Sequence, residues 1–487
     1  MNTPICDFVE NYARSGTVRM HMPGHKGRSA GVCASSEPFT AEALDITEIH
    51  GADELFHADG IIAESETNAS EVFGCDTYYS TEGSSLGIRA MLYLCRVNAV
   101  RTHDGPKSSG TLASGVSRPW VLAARNVHQT FVSACALLDL DVTWLYPKAS
   151  LLSMDLSENE VRLALEEARD SGQGMPCCVY LTSPDYLGHI LPIRKIADVC
   201  HAFSVPFVVD NAHGAYLKFL PTEFSDGADL AHPIDLGADL CCDSAHKTLP
   251  VLTGGAYLHV SPEASEKYDL NKEKVKQALV LFASTSPSWL ILQSLDRVNP
   301  ILADGYRARL AHTCHAVSGL RSRLQERGFS LFGEEPLKLT ICPGSYGYTG
   351  RELATILRTG KLSGCPIEVE FADEEALVLM ISESHTEEEL DELERALGAL
   401  PKREAIVRDR VDLAHRPKQV MSIREACMLP FETIALEEAE GRITHMFSSA
   451  CPPAVPVVIC GEKIEAEEIS CLRFYGYNFC QVVADQP

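Results

Sequence analysis

The sequence lacks any long apolar run. No uninterrupted apolar stretch reaches the roughly 20 residues that a membrane-spanning helix requires, and residues 1–20 show neither the basic start nor the apolar core of a secretory signal. Hydrophobic residues make up 45% and charged residues 22% of the 487 residues, as in a soluble globular protein. We therefore predict a cytoplasmic protein without membrane contact, of about three domains at this length.

Cysteine and histidine pairs in a metal-binding arrangement are also missing. None of the 18 cysteines lies in a CxxC motif, and the 17 histidines form no HxxxH or HxH pair beside suitable cysteines or carboxylates. Both zinc ribbons and thioredoxin-type sites are thereby disfavoured. We predict no metal site, and we expect the cysteines to be reduced thiols that pack as small apolar residues.

Positive charge is scarce. Lys and Arg number 42 against 67 Asp and Glu, which gives a formal net charge of −25. Such a charge repels phosphate backbones, so we predict no nucleic-acid partner, and it favours the approach of a small cationic substrate.

Residues 71–260 alternate short apolar runs with helical patterns, which is typical of a mostly parallel sheet covered by helices. The predicted strands span residues 120–123, 178–181, 207–210, 240–243 and 256–260. Predicted helices include residues 158–169, with Ser157 as a possible N-cap, and residues 193–203. In such sheets the ligand lies beyond the carboxyl ends of the strands.

The flanking regions follow other patterns. Residues 101–119 are rich in Gly, Ser and Thr and predict a surface loop without a function. A long helical stretch is predicted from about residue 288 to 327, and residues 330–400 predict a smaller α+β domain. After about residue 412, MSIREACM predicts a helix and VPVVICGEKI a strand.

Two residues after the predicted strands suggest a cofactor. Lys247 follows strand 240–243 among small and polar residues, where a lysine is able to form a Schiff base; the alternative is a surface lysine. Asp210 ends strand 207–210, where a carboxylate could keep a pyridine nitrogen protonated; the alternative is a carboxylate that caps the next segment.

Two further features are compatible with the same cofactor. Ser84 and Ser85 stand at a Gly-containing turn before an apolar helix, where hydroxyls and backbone N–H groups suit a phosphate. A plain helix cap is the alternative. His128 follows strand 120–123 and could lie flat on a cofactor ring, although a surface histidine explains it as well.

Together these residues resemble the fold type I, or aspartate aminotransferase-like, enzymes that use pyridoxal 5′-phosphate (PLP), and in particular the short bacterial form of the Orn/Lys/Arg decarboxylase family. The resemblance covers most of residues 19–300. Its motifs occur in order as HMPGHKG, DITE, IIAE, VFGCDTYYSTEGSS, RNVHQT, TSPDYLG, VVDNAHGAY, DSAHKTLP and STSPSW.

The resemblance implies roles for residues of these motifs. Lys247 would carry PLP as a Schiff base, Asp210 would pair with the pyridine nitrogen, and His128 and Ala212 would cover the two ring faces. His246 would lie beside the Schiff base, and Thr285 would reach the phosphate of a neighbouring subunit, which implies a homodimer or a larger homo-oligomer. The remaining residues that the resemblance places around the cofactor are Ser84, Ser85, His213 and Ser244.

The resemblance also implies a three-layer α/β PLP-binding domain, a smaller α+β domain and a C-terminal domain. We assign residues 1–50 to an N-terminal segment, 51–300 to the large domain, 301–411 to the small domain and 412–487 to the C-terminal domain. Glu370 matches the position that meets the distal cationic group of the substrate; a surface glutamate is the alternative.

The sequence departs from the family pattern at two places. The usual Asp-Glu-Ala-His motif has Asn211 in place of Glu, and the proline-rich C-terminal motif has Cys451 before its prolines. The receiver-like N-terminal domain of the long members is absent from this sequence. The implied activity is decarboxylation of lysine, arginine or ornithine to an amine that feeds polyamine synthesis. Transamination, elimination and a non-catalytic regulatory role are the alternatives.

Overall fold

The structure is a computed structural model. It describes residues 1–27, 40–101, 118–148, 151–172, 174–225, 230–362, 364–407, 416–448 and 454–485. The loop predicted at residues 101–119 falls almost wholly outside these ranges, and Cys451 also lies outside them. Within the described ranges, no helix is long and apolar enough to cross a membrane.

The strands, in chain order, are β1 (Asp76–Ser80), β2 (Trp120–Ala124), β3 (Asp141–Leu145), β4 (Val179–Thr182), β5 (Phe207–Asp210), β6 (Leu240–Asp243), β7 (Ala256–Val260), β8 (Ser330–Phe332), β9 (Lys338–Cys342), β10 (Phe371–Ala372), β11 (Leu377–Met380), β12 (Phe431–Ala435) and β13 (Phe479–Val483).

The α-helices are α1 (Pro4–Arg14), α2 (Ile61–Phe73), α3 (Ser84–Arg101), α4 (Gln129–Leu138), α5 (Glu158–Ser171), α6 (Ile193–Ala202), α7 (Thr222–Ser225), α8 (Ala245–Thr248), α9 (Pro262–Lys267), α10 (Lys272–Val280), α11 (Trp289–Ala303), α12 (Tyr306–Glu326), α13 (Gly350–Arg358), α14 (Glu387–Gly398), α15 (Ile423–Met428) and α16 (Ala466–Phe474).

Contacts divide the chain into two compact units, each built from separate stretches of sequence. The first comprises Met1–Leu94, Val208–Phe219 and Ala231–Ala308, and the second comprises Cys95–Phe207, Leu220–Leu230 and Arg309–Pro487. The assignment of residues 1–50, 51–300, 301–411 and 412–487 to successive domains stays a prediction.

The first unit contains β1, β7, β6 and residues 208–210 of β5 as neighbouring strands, in that order. β6 pairs in parallel with β5 and antiparallel with β7, and β1 is antiparallel to β7. These strands are almost wholly buried, which explains why they read as short apolar runs rather than as alternating patterns. Helices α1, α2 and α11 of this unit pack on one another.

The second unit contains three sheet regions. β2 pairs in parallel with both β3 and β4. A four-stranded antiparallel sheet has the order β10-β11-β9-β8, and its core includes Leu339, Leu377 and Leu397. β12 and β13 form a two-stranded antiparallel sheet. Parallel and antiparallel pairing thus coexist, and the predicted α/β class is confirmed.

Most predicted elements of the α/β region occur within one or two residues of their predicted bounds. Strands 207–210, 240–243 and 256–260 are confirmed without change, and Ser157 caps α5 through a capping box with Glu160. The helical stretch predicted at residues 288–327 is confirmed and consists of two helices. It is broken between α11 and α12, where Gly305 has a φ of 80°, a conformation that glycine adopts without strain.

Two expectations fail. The apolar run VPVVICGEKI forms no named strand in its described residues; only isolated bridges occur there. The sequence analysis also missed β1 and β3. Of the cysteines, sixteen lie in the described ranges and carry free thiols, most of them buried, as expected.

Candidate active site

The turn after β6 presents Lys247 in the one-turn helix α8. Its Nζ lies 2.9 Å from Nε2 of His213, and its backbone N–H donates to the carbonyl oxygen of Ser244 at 3.0 Å. Lys247 is half-buried, and His213 is buried. The structure therefore brings together two of the predicted residues that lie 34 positions apart in the sequence.

Hydroxyl groups meet at the first turn of α3. The Ser244 hydroxyl donates to Oγ of Ser84 at 2.8 Å, and both serines are buried. The approach of this helix to β6 requires Gly87, because a Cβ there would lie 2.9 Å from Cβ of Cys242. The preceding Gly83 has a φ of 71°, which favours glycine. Ser85 is half-buried in the same turn.

Asp210 ends β5 and is 2% exposed. Its Oδ1 accepts a hydrogen bond from the backbone N–H of Ala212 at 3.1 Å and a weak one from Sγ of Cys242 at 3.7 Å. Since Asp210 pairs with Cys242 in the parallel ladder, the carboxylate stands beside the strand that leads to Lys247. Ala212 is buried immediately after it.

His246 has a defined tautomer. Its Nδ1 lies 3.0 Å from the carbonyl oxygen of Gly255, and its backbone N–H donates to the same oxygen at 3.1 Å. A carbonyl oxygen only accepts, so Nδ1 carries the proton. Nε2 of His246 is then the ring atom that is left to accept a hydrogen bond.

Thr285 is exposed between α10 and α11. One residue earlier, the backbone N–H of Ser284 donates to Oε1 of Glu82 at 2.7 Å, which ties this segment to the turn before α3. Thr285 itself stands at the surface of the first unit.

Two predicted residues belong to the second unit. His128 is exposed and caps α4, with Nδ1 accepting from the backbone N–H of Thr130 at 3.2 Å. Glu370 is exposed just before β10, and its Oε1 accepts from the hydroxyl of Tyr186 at 3.0 Å. Tyr186 lies in the TSPDYLG motif and was not singled out from the sequence.

Two buried polar groups escaped the sequence analysis. In the first unit, Asp243 contacts His232 and His259, which are 27 residues apart and form no local motif. In the second unit, Arg125 forms a buried bidentate ion pair with Glu462, 337 residues later. In the sequence, the signal that could have predicted either group is an acidic or basic residue inside an apolar run.

Comparison with known proteins supports the resemblance. Residues 3–331 match the Orn/Lys/Arg decarboxylase major domain, and residues 404–481 match the C-terminal domain of the same family. An arginine decarboxylase of Halalkalibacterium halodurans is 28% identical, with 97% of this chain and 93% of that protein covered. An arginine decarboxylase of Bacillus subtilis is 27% identical over 96% of this chain and 92% of its own length.

Solved structures show the same fold. The lysine decarboxylase of Francisella novicida matches with a TM-score of 0.76 and 17% identity, covering 99% of this chain and 81% of that one. The constitutive lysine decarboxylase of Escherichia coli has a TM-score of 0.72 and 19% identity, covering 97% and 77%. Because its major domain matches over more than half of the chain, this protein belongs to the Orn/Lys/Arg decarboxylase family and is a decarboxylase that depends on PLP.

Proposed function

We propose that the protein decarboxylates a basic amino acid at Lys247, with arginine as the first candidate substrate. The observation that carries the proposal is the grouping of an amine, two hydroxyls and a carboxylate at the ends of β5 and β6. Lys247 contacts His213, Ser244 contacts Ser84, and Asp210 ends the neighbouring strand.

These groups fit PLP by their chemistry. The lysine amine is the group that binds the cofactor aldehyde, and a carboxylate suits the pyridine nitrogen. The Ser84 and Ser244 hydroxyls lie at the start of an 18-residue helix, where backbone N–H groups and the helix dipole favour a phosphate. Ser85 stands in the same turn. Ala212 and His128 would cover the ring faces, as the family resemblance implies.

PLP bound at this site would supply the electron sink for decarboxylation at Cα of the substrate. Lys247 anchors the cofactor through Nζ and holds a proton for Cα of the substrate. His213, 2.9 Å away, exchanges protons with the same amine. His246 is the second candidate for proton return, through Nε2, because its Nδ1 is fixed on Gly255.

Glu370 would meet the distal cation of the substrate. A guanidinium or ammonium that leaves water needs a carboxylate to offset its desolvation, and Tyr186 orients the Glu370 carboxylate by its hydroxyl. Arginine is preferred as the first candidate because several relatives that match nearly the whole chain are arginine decarboxylases. Lysine and ornithine are assayed as alternative substrates.

The decisive experiment is mass spectrometry of products from the PLP-loaded enzyme, incubated separately with arginine, lysine, ornithine and uncharged amino acids. We expect agmatine from arginine. Lys247→Ala should lower turnover by roughly a thousandfold or more, whereas Lys195→Ala, at an exposed position of α6, should change nothing. A keto acid in place of an amine would identify transamination, and no product from any amino acid would contradict the proposal.

Glu370→Gln tests the substrate contact separately. We expect KM for arginine to rise about tenfold or more with a smaller change in kcat, because a charge partner is lost. Glu368→Gln, two residues away and paired with Arg358 at 2.6 Å, is the matched control. Equal effects of both variants would remove Glu370 from the substrate site.

We further propose a cytoplasmic homodimer in which Thr285 reaches the PLP phosphate of the neighbouring subunit. The product amine would serve as a polyamine precursor. Sedimentation of the holoenzyme should give about twice the chain mass of 53.2 kDa, or a higher even multiple. Thr285→Ala should weaken PLP binding several-fold without dissociating the dimer; a monomeric active enzyme would contradict the proposal.

A further inference from the structure

Asp243, the last residue of β6, is a fully buried carboxylate three residues before His246. Its Oδ2 accepts from Nε2 of His232 at 3.0 Å and from Nε2 of His259 at 3.2 Å. Its Oδ1 accepts from Nδ2 of Asn211 at 2.7 Å. With a weak bond from Sγ of Cys241 to Oδ1 at 3.7 Å, four donors surround a carboxylate that has no access to solvent.

Asp243 is ionised in this setting. Burial alone would favour the neutral acid, but the two imidazoles and their hydrogen bonds hold the pKa of Asp243 well below its ordinary value. His259 is held in turn by Oγ1 of Thr77, 3.0 Å from its Nδ1, and it is also fully buried. Hydrogen bonds thus join both histidines to the Asp243 carboxylate, while Nδ1 of His232 is buried without a hydrogen-bond partner among the described residues.

The donor on Oδ1 is the residue at which this chain departs from the family motif. Asn211 stands where the family motif has a glutamate, and its amide donates to the Asp243 carboxylate, which an ionised glutamate cannot do. A second carboxylate at residue 211 would face Asp243 inside the protein. Two such groups cannot both be charged in a buried site, so one of them would have to take up a proton.

Asn211 and Asp243 connect the two strand ends that carry the cofactor residues. Asn211 follows Asp210, and its backbone N–H donates to the carbonyl oxygen of Cys242 at 3.0 Å. The side-chain bond to Asp243 is the next link beyond the last ladder pair, which joins Asp210 to Cys242. Immediately after Asp243, the chain turns through Ser244 to Lys247.

We propose that Asn211 and Asp243 form a positioning pair that sets the distance between the Asp210 carboxylate and the Lys247 amine, and thereby the affinity for PLP. The proposal rests on the proposed roles of Asp210 and Lys247 in holding PLP. It also gives a role to the departure at residue 211, because an amide there can donate to the acid at residue 243.

The test exchanges the two groups. Asn211→Asp places two acids together, Asp243→Asn supplies two amides, and the double variant reverses the pair. We expect Asn211→Asp to raise the dissociation constant of PLP about tenfold or more, and the double variant to return it to within about threefold of wild type. The measurement is titration of apoenzyme with PLP, followed by visible absorbance and circular dichroism.

A control separates positioning from general loss of stability. Glu66→Gln breaks the buried ion pair with Lys276, at 2.5 Å in the same unit. It should lower the melting temperature of the apoenzyme but leave PLP affinity and the cofactor circular dichroism unchanged. Elemental analysis of the wild-type holoenzyme should find no stoichiometric transition metal; one equivalent lost in Asp243→Asn would overturn the hydrogen-bonded assignment.

If Asn211→Asp does not fold, Asn211→Ala removes the donor without adding charge and should still weaken PLP binding about threefold or more. Wild-type affinity in Asn211→Asp or in Asn211→Ala would overturn the proposal. A double variant that binds PLP no better than Asn211→Asp would do so too. Because PLP binding is measured without substrate, failure to turn over arginine would affect the proposed function and leave this test intact.

Discussion

Asp185 illustrates how one residue can govern a pH response. It lies after β4 in the TSPDYLG motif and is buried, with Oδ1 accepting from the backbone N–H groups of Leu187 and His189, both at 2.9 Å. Burial raises the pKa of Asp185 to about 6, although the bonds to His189 and the charge of Lys338 act in the opposite direction. The ionised carboxylate therefore lowers the stability of the folded state at neutral pH.

The sign of the effect follows from linkage. The pKa of Asp185 is higher in the folded than in the unfolded state, so the folded state binds the extra proton between about pH 4 and 6, and stability falls as pH rises through that window. Asp185→Asn keeps the Oδ1 acceptor and cannot ionise. The stability of Asp185→Asn relative to wild type should therefore increase by about 2 kcal/mol from pH 4 to 7.

Denaturant unfolding of the apoenzyme at several pH values measures this difference. Asp198→Asn, at an exposed position of α6, is the matched control and should show no such trend. A constant difference between Asp185→Asn and wild type across the range would contradict the assignment.

Individual site residues were predictable to the extent that they belong to local motifs. Lys247, Asp210 and Ser84 follow strands or begin a helix, and the structure gives them partners among the other predicted residues. The partners themselves were not predictable from spacing. His232 and His259 meet on Asp243 only because β6, β7 and a short 3₁₀ helix at Pro233–Leu236 converge there.

At the scale of elements, a buried ion pair joins the C-terminal segment of residues 456–462 to the residue that follows β2. Arg125 follows β2, and its guanidinium binds both carboxylate oxygens of Glu462, at 2.5 and 2.6 Å. It also donates to the carbonyl oxygens of Pro456 and Val457, at 3.3 and 3.1 Å. Both charged side chains are at most 1% exposed.

Glu462→Gln should therefore cost about 3–5 kcal/mol of stability, because it leaves a buried guanidinium without its counter-charge. Replacing both residues, as in Arg125→Met with Glu462→Gln, should cost less than the single change, since no charge is left behind. Thermal unfolding monitored by circular dichroism measures both.

The control for this prediction is Glu437→Gln, which breaks the exposed pair with Arg473 at 3.0 Å and should have little effect. A Glu462→Gln protein as stable as wild type would show that the buried pair does not hold the segment. In that case the surrounding backbone hydrogen bonds would hold the segment in place.

The same segment explains an error in the strand prediction. Val457, Val458 and Ile459 are almost completely buried, which produces the apolar run that predicts a strand. Two of their backbone groups, however, bind side chains: the Val457 carbonyl oxygen accepts from Arg125, and the Ile459 N–H donates to Glu462 at 2.8 Å. Hydrophobic periodicity reports burial and does not reveal which groups satisfy the backbone.

For the whole molecule, the formal net charge of −25 has a kinetic consequence. A cationic substrate is attracted during its approach, and salt screens this attraction as the Debye length falls from about 30 Å at 0.01 M to a few ångströms near 1 M. We expect kcat/KM for arginine to fall several-fold between about 0.01 and 0.5 M potassium chloride while kcat stays nearly constant. Steady-state kinetics with two different salts measures this, and a salt-independent kcat/KM would contradict it.

The α/β class, most strands of the first 300 residues and the motifs of the family were predictable from the amino-acid sequence. These features depend on local periodicity and on residues next to strand ends, which a linear pattern contains. That each compact unit is assembled from separate stretches of chain became evident from the folded structure alone. Only the structure, too, paired Asn211 with Asp243 and Arg125 with Glu462. Such pairs lie 32 and 337 residues apart, and buried charges find their partners through packing, which leaves no period in the sequence.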